Sequence, residues 1–232
     1  MWQRLPDTGG LKSMNKIEDA FKNKKAFIPF VTAGDPSLDV TRELILAMQE
    51  AGADLIEIGI PFSDPVAEGP VIQEADDRAL SAGVTTDKIF DMVDDIADKI
   101  HVPIVFMTYI NPIYVYGVEK FAKRAKACGA AGVIVPDVPF EEKEEIRGSF
   151  EAEGLVVISM VAPTSADRVR MIAKEAKGFL YCVSSLGVTG VRTEIGTAIG
   201  DLIQTVKEEC SIPCAIGFGI STPETAEPMA KI

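Results

Sequence analysis

One carboxylate, Glu57, interrupts an otherwise apolar run at residues 55–60. Side chains of a strand alternate between two faces, so Glu57 shares a face with Leu55 and Gly59 and lies opposite the isoleucines at 56, 58 and 60. If those isoleucines face a helix layer, Glu57 points into the interior of the sheet. Burial raises the pKa of a carboxyl group toward values that suit proton transfer. Glu57 is therefore our first candidate for acid/base chemistry, and a purely structural ion pair or hydroxyl contact is the alternative.

Two more acids, Asp64 and Glu68, lie in the segment after this run, which is punctuated by proline and glycine. Acidic side chains in loops are more often solvated than catalytic. Taken alone, each of the two is therefore interpreted as a surface group.

Two glycine-rich segments are candidates for binding a phosphate group. Residues 187–190 and 217–221 each follow an apolar run that is typical of a strand. Barrel enzymes often bind phosphate with backbone amides at the corresponding loops. Either segment alone is more often a plain turn, but two of them at these places favour a phosphate site. Backbone N–H groups and helix N-termini supply such a site without lysine or arginine.

The charge balance excludes several classes of partner. The 232-residue chain carries 23 basic and 35 acidic residues, a formal net charge of -12. Such a field repels nucleic acid and anionic membrane surfaces. No apolar run approaches the roughly 20 residues of a membrane span, and the N-terminus lacks the pattern of a signal peptide. We therefore expect a cytoplasmic protein that binds neither nucleic acid nor membrane.

The four cysteines, Cys128, Cys182, Cys210 and Cys214, lie in apolar or helical contexts. Such cysteines indicate core packing in a reducing compartment. The alternative is that Cys210 and Cys214 bind a metal ion together, but the only histidine, His101, is distant in the sequence. We therefore predict no metal site.

The elements that must position these residues alternate along the chain. Short β-branched runs predict strands at residues 26–31, 55–60, 103–108, 132–136, 155–161, 178–183 and 213–217. Apolar residues three or four apart predict helices at 39–51, 86–100, 118–128, 141–153, 166–176 and 196–210. This alternation is typical of an α/β fold with parallel strands. No G-x-G-x-x-G follows the first strand, and polar or glycine-rich signals follow nearly every strand, so a barrel is favoured over an open doubly wound sheet.

The two ends of the sequence set the predicted bounds of the domain. Residues 1–13 show no periodicity, so we interpret them as an N-terminal tail, disordered or foreign to the domain. Residues 14–232 are predicted to form a single (β/α)8 TIM barrel. A helix begins after residues 220–224, and the sequence reaches Ile232 without an eighth strand or a final helix. We therefore expect a barrel truncated after its seventh strand, with an exposed sheet edge.

Six motifs occur in an order that resembles the α subunits of tryptophan synthase. They are FVTAGDP at 30–36, EIGIPFSDPVAEGP at 57–70, YINP at 109–112, PDVP at 136–139, SSLGVTG at 184–190 and GFGI at 217–220. One such motif would be a weak signal, whereas six with matching intervals are specific. The resemblance extends over essentially all of residues 14–232.

The resemblance implies a lyase that cleaves indole-3-glycerol phosphate to indole and glyceraldehyde 3-phosphate by a retro-aldol reaction. Glu57 matches the family's acid/base, which protonates C3 of the indole ring. Glu68 stands where the family usually carries an aspartate that accepts from the indole N–H. The additional methylene shifts that carboxylate by about a bond length, and errors near 1 Å can matter to rate.

The resemblance also implies the remaining site residues and the partner. The expected substrate-binding residues are Phe30, Met107, Tyr109, Tyr181, Thr189, Gly190, Gly217, Phe218 and Gly219. Asp64, Pro65 and Asn111 are expected at the contact with a β subunit in an α2β2 assembly. That β subunit carries pyridoxal phosphate, whereas no cofactor is expected in this chain.

Two alternatives to this hypothesis stay open from the sequence. The first is that the chain is a catalytically silent fragment or regulatory partner of the β subunit. The second is that it is another phosphate-binding barrel of amino-acid biosynthesis. The second alternative is disfavoured because such barrels do not present the PFSDP segment in this context.

Overall fold

The computed structural model describes residues 16–22, 24–183, 192–217 and 219–232. Within them the strands are β1 (Phe30–Thr32), β2 (Ile56–Gly59), β3 (Ile104–Met107), β4 (Gly132–Ile134), β5 (Val156–Val157), β6 (Ser159–Val161), β7 (Leu180–Val183) and β8 (Cys214–Gly217). The tail predicted at residues 1–13 lies outside the described residues.

The strands pair in parallel and in chain order. One sheet runs β1-β2-β3-β4-β5 and the other runs β6-β7-β8. The single strand predicted at 155–161 is divided at Ile158, because its first part pairs with β4 and its second part pairs with β7. The predicted α/β fold with parallel strands is therefore confirmed, and this strand joins the two sheets.

The helices alternate with the strands. They are α1 (Lys16–Asp19), α2 (Leu38–Glu50), α3 (Pro70–Ser81), α4 (Thr86–Asp94), α5 (Ile110–Tyr116), α6 (Val118–Ala127), α7 (Glu144–Ala152), α8 (Ala166–Glu175), α9 (Arg192–Glu209) and α10 (Pro223–Ala230), with short 3₁₀ turns at Ala97–Lys99 and Phe140–Glu142. The helix predicted after residues 220–224 is confirmed as α10. Because β5 and β6 are the two parts of one predicted strand, β8 corresponds to the seventh predicted strand. The absence of an eighth barrel strand stays a prediction.

Three helices, α1, α3 and α5, lie where the sequence predicted none. Proline occupies the first position of α3, where its missing N–H costs nothing, so the helix begins there. Its buried residues are Ala75, Asp76 and Ala79 rather than large apolar groups. The apolar signal on which the helix predictions relied is therefore weak in α3.

The strands separate an inner apolar cluster from two outer ones. The outer cluster on β1–β5 contains Ile56, Ile58 and Ile60 together with helix residues such as Phe90 and Phe121. The inner cluster contains the side chains Leu55, Val105, Met107, Ile134, Phe179 and Tyr181, and Ile17 of α1 joins it. The alternation predicted for residues 55–60 is thus confirmed. Burial of each large side chain contributes roughly 1.5–3 kcal/mol.

Candidate active site

Glu57 lies in the middle of the inner face of the sheet. In the strand register it is flanked by Phe30 of β1 and Val105 of β3. Only 4% of its surface is exposed. Removal of the carboxylate from water disfavours its charged form, and this burial raises the pKa of Glu57 to about 8. The side chain can therefore hold a proton at neutral pH, as an acid catalyst must.

The aromatic rings of Phe30 and Tyr181 border the space above Glu57. Each ring packs against a glycine whose missing side chain leaves space for it. A Cβ atom added to Gly59 would lie 2.5 Å from the Phe30 ring, and one added to Gly217 would overlap the ring of Tyr181. Met107 pairs with Gly59 in the register and is buried in the inner cluster. The fold therefore brings these predicted substrate-binding side chains to the face that carries Glu57.

Glu68 is held in place by Tyr109, which follows β3. The Tyr109 hydroxyl donates to Oε1 of Glu68 at 3.2 Å and accepts the backbone N–H of Ala67 at 3.1 Å. Burial raises the pKa of Glu68, and the hydrogen bond from Tyr109 lowers it in part. Tyr109 was predicted as a substrate contact, and its observed contacts are with the segment that carries the second carboxylate.

Asp76 of α3 is a buried acid that the sequence reasoning missed. It is 6% exposed, and the nearby backbone N–H of Phe62 favours its charged form. Burial and the nearby carboxylates Glu68, Asp77 and Asp35 raise the pKa of Asp76 to about 7. A signal was present, because Asp76 occupies a position where the three- and four-residue spacing of α3 calls for an apolar residue.

Two buried hydroxyls mark the ends of the strands on either side of β2. Oγ1 of Thr32 and Oγ1 of Thr108 are both buried without a hydrogen-bond partner. Thr32 pairs with Gly59, one inward position above Glu57. A buried hydroxyl without a partner is costly, and such exceptions are few in folded proteins.

The expected phosphate site is described only in part. Gly217 ends β8, and Gly219 has a φ of 69°, a conformation that favours glycine. Thr189, Gly190 and Phe218 lie outside the described residues. The N–H groups of Ser221 and Thr222 both donate to Oγ1 of Thr225, so they form the cap of α10.

The residues expected at the partner contact lie at the surface or partly buried beneath it. Asp64 and Asn111 are exposed, Pro65 is half-buried, and the Ser63 hydroxyl donates to Asp64 at 2.6 Å. Val66 and Val115, each adjacent to these segments, are 78% and 82% exposed. Asn111 lies in the first turn of α5 rather than in a loop.

The cysteines pack in the interior. Cys182, Cys210 and Cys214 belong to the cluster between β6–β8 and helices α8 and α9, and all four thiols are free. The predicted core packing is confirmed. Among the described residues, the acidic, histidine and cysteine side chains form no group of three that could hold a metal ion. No helix in this part of the chain is long and apolar enough to cross a membrane.

Comparison with known proteins gives one family. The family model for the tryptophan synthase alpha chain matches residues 17–232. The chain is 47% identical over 219 residues to the tryptophan synthase alpha chain of Lacticaseibacillus casei, covering 94% of this chain and 82% of that one. It is 48% identical over 220 residues to that of Halalkalibacterium halodurans, with coverage of 94% and 83%.

Solved structures give the same result. A tryptophan synthase subunit alpha from Legionella pneumophila superposes with a TM-score of 0.84 at 37% identity, covering 94% of this chain and 84% of that chain. A chain from the tryptophan synthase a2b2 complex of Pyrococcus furiosus superposes with a TM-score of 0.81 at 40% identity, covering 89% and 83%. The likeness in both sequence and structure identifies the fold as the (β/α)8 barrel of these proteins.

Proposed function

The chain belongs to the tryptophan synthase alpha chain family, and on this premise we propose that Glu57 carries the proton transfers of its reaction and that Glu68 accepts from the indole N–H. The protein is a lyase that cleaves indole-3-glycerol phosphate as the α subunit of tryptophan synthase. The products are indole and glyceraldehyde 3-phosphate.

The cleavage is a retro-aldol step with a closed proton balance. A proton adds to C3 of the indole ring and gives a protonated indolenine, the 3H-indolium cation, whose positive charge lies on the ring nitrogen. The adjacent glycerol hydroxyl loses its proton, its oxygen forms the aldehyde carbonyl, and the C–C bond breaks. The electron pair of that bond returns to the ring and restores indole. One proton is gained and one is lost, so a single carboxyl group can serve both transfers.

Glu57 is the residue to which we assign those transfers, and its burial is the observation that supports the assignment. Its raised pKa keeps it protonated at neutral pH, so it can donate to C3. Removal of the hydroxyl proton then returns Glu57 to its starting state. The apolar wall of Phe30, Met107 and Tyr181 around it fits the flat indole ring.

Glu68 is assigned the role of acceptor for the indole N–H. A carboxylate near that nitrogen stabilises the positive charge that develops in the transition state. The hydrogen bond from Tyr109 favours the ionised form of Glu68 and fixes its direction. This bond also offers a way to accommodate the longer side chain at position 68.

The phosphate end of the substrate is assigned to the loops after β7 and β8. The residues are Thr189, Gly190, Gly217, Phe218 and Gly219. The positive φ of Gly219 leaves its backbone N–H free of a side chain's bulk, which suits close approach of a phosphate oxygen.

The β subunit of tryptophan synthase is the partner of this chain, and the assembly is α2β2. We place the contact at Asp64, Pro65 and Asn111, next to the exposed Val66 and Val115. Exposed apolar side chains beside polar ones are typical of protein interfaces.

Cofactor and location follow from the chemistry of the chain. The two proton transfers require only carboxyl groups, so we assign no cofactor to this subunit and place pyridoxal phosphate in the β subunit. The four free thiols agree with a reducing cytoplasm.

The test of the proposed function is the variant Glu57→Gln, which keeps the shape of the side chain and removes its proton chemistry. We expect indole release to fall by roughly 10²- to 10⁴-fold while activation of the β subunit persists. Exposed Glu119→Gln on α6 is the matched control and should have wild-type activity. Unchanged indole release by Glu57→Gln would instead favour a catalytically silent regulatory partner of the β subunit.

A further inference from the structure

The segment between β2 and α3, residues 60–69, carries Glu68 and has no regular secondary structure of its own. Side chains from neighbouring elements hold it instead. Tyr109 contacts its far end through Ala67 and Glu68. Gln73 of α3 donates from Nε2 to the backbone oxygen of Glu68 at 2.9 Å. The near end, at Phe62, needs a separate anchor.

Asp76 supplies that anchor from the buried face of α3. It lies between Ala75 and Ala79, which are also buried, and α3 packs against β1. A carboxyl group at such a position costs free energy unless it has a partner. The backbone N–H of Phe62 is the polar group that favours the charged form of Asp76.

The contact at Phe62 is coupled to the one at Glu68 through Tyr109. The rings of Phe62 and Tyr109 pack with their centroids 5.6 Å apart. The hydroxyl of the same tyrosine donates to Glu68. A continuous chain of contacts therefore runs from Asp76 through Phe62 and Tyr109 to Glu68.

We propose that Asp76 is a positioning residue for the cleavage reaction, which anchors Phe62 so that Tyr109 and residues 60–69 present Glu68 to the indole N–H. The proposal rests on the proposed role of Glu68. It adds that this role depends on a buried acid outside the substrate pocket.

The charged groups around Asp76 are consistent with this role. Glu68, Asp77 and Asp35 act on it electrostatically. Arg78 holds Asp35 in a two-bond ion pair at 2.8 and 2.9 Å, so the charge of Asp35 is largely compensated. Glu68 shares the chain of contacts with Asp76, and its charge helps to raise the pKa of Asp76.

The decisive variants are Asp76→Leu and Asp76→Asn. Leucine removes the acceptor for the Phe62 N–H but suits a buried position, whereas asparagine keeps an acceptor oxygen of the same reach. We expect Asp76→Leu to lower kcat for indole release by roughly tenfold with KM little changed, and Asp76→Asn to restore most of it. Exposed Asp77→Leu is the matched control and should behave as the wild type.

A double-mutant cycle with Glu68→Gln separates positioning from general stability. If Asp76 acts through Glu68, Asp76→Leu should change the activity of the Glu68→Gln protein by less than about twofold. Equal losses in both backgrounds would overturn the proposal. Wild-type activity of Glu68→Gln would instead refute the proposed role of Glu68 itself.

Hydrogen–deuterium exchange gives a readout that does not depend on activity. In Asp76→Leu, the amides of Phe62 and Ala67 should exchange at least several-fold faster, while those of β2 keep their protection. If Asp76→Leu does not fold, Asp76→Ala provides the same comparison. Unchanged exchange at both amides would count against the anchor.

Discussion

The two carboxylates of the site are held by different parts of the molecule. Glu57 lies on β2, where backbone hydrogen bonds to β1 and β3 fix its position in the register. Glu68 lies in an irregular segment and depends on hydrogen bonds from Tyr109 and Gln73. The sheet gives Glu57 rigidity and an apolar surrounding, whereas the loop gives Glu68 a position that single side chains can change. Burial raises the pKa of both carboxyl groups, and for Glu68 the hydrogen bond from Tyr109 partly opposes this.

The largest expected effect on stability comes from the free-energy cost of burying the charged form of Glu57. Its pKa in the folded protein, about 8, lies above the ordinary 4.5, so the folded state binds more protons than the unfolded state between these pH values. Stability is therefore present at low pH and is lost as the pH rises from 4.5 to 8. Relative to wild type, Glu57→Gln should gain roughly 5 kcal/mol in the free energy of unfolding between pH 4 and pH 9.

Urea unfolding at several pH values measures this gain. The same measurement on Glu68→Gln should show a clearly smaller change, because Glu68 is less buried and is hydrogen-bonded. Equal pH dependence for the two variants would contradict the contrast between strand and loop.

The next largest effect on stability concerns Gly59 of β2, whose missing side chain leaves space for the Phe30 ring. In Gly59→Ala the new Cβ would lie 2.5 Å from the Phe30 ring, so the ring must move within the packed interior. We expect a loss of roughly 1–3 kcal/mol in the free energy of unfolding and a raised KM. Gly148→Ala on α7 is the control, because no atom lies within 4 Å of its added Cβ, and it should be neutral or slightly stabilising.

The smallest stability effect is expected on the loop side. Tyr109→Phe removes the hydroxyl that bonds Ala67 and Glu68 and keeps the ring that packs on Phe62. We expect a cost of about 1 kcal/mol, with kcat lowered by roughly tenfold. Thermal unfolding and an indole-release assay measure the two changes.

Tyr116→Phe is the matched control for this variant, since the hydroxyl of Tyr116 bonds Asp87 in the outer helix layer. It should keep wild-type kcat. A loss of stability without any loss of kcat in Tyr109→Phe would show that Glu68 does not need its tyrosine partner.

The sequence by itself determined the parts of the molecule that follow a local period. The alternation at residues 55–60 fixed which side of β2 faces the helices, and so placed Glu57 inside before any contact was known. Helices with large apolar faces, such as α2, α6 and α8, were predicted near their observed bounds. These predictions succeeded because strand and helix periods depend only on neighbours in the chain.

The tertiary structure alone decided what depends on contacts between distant residues. The division of strand 155–161 at Ile158 arises because two different strands pair with its two parts. The role of Tyr109 and the burial of Asp76 depend on residues 60–69 folding back on β3 and α3. Partners that are 41 residues apart, as in the bond between Tyr109 and Glu68, leave no local period in the sequence. Burial and hydrogen bonding, which set the proton affinity of each carboxyl group, exist only once those partners meet.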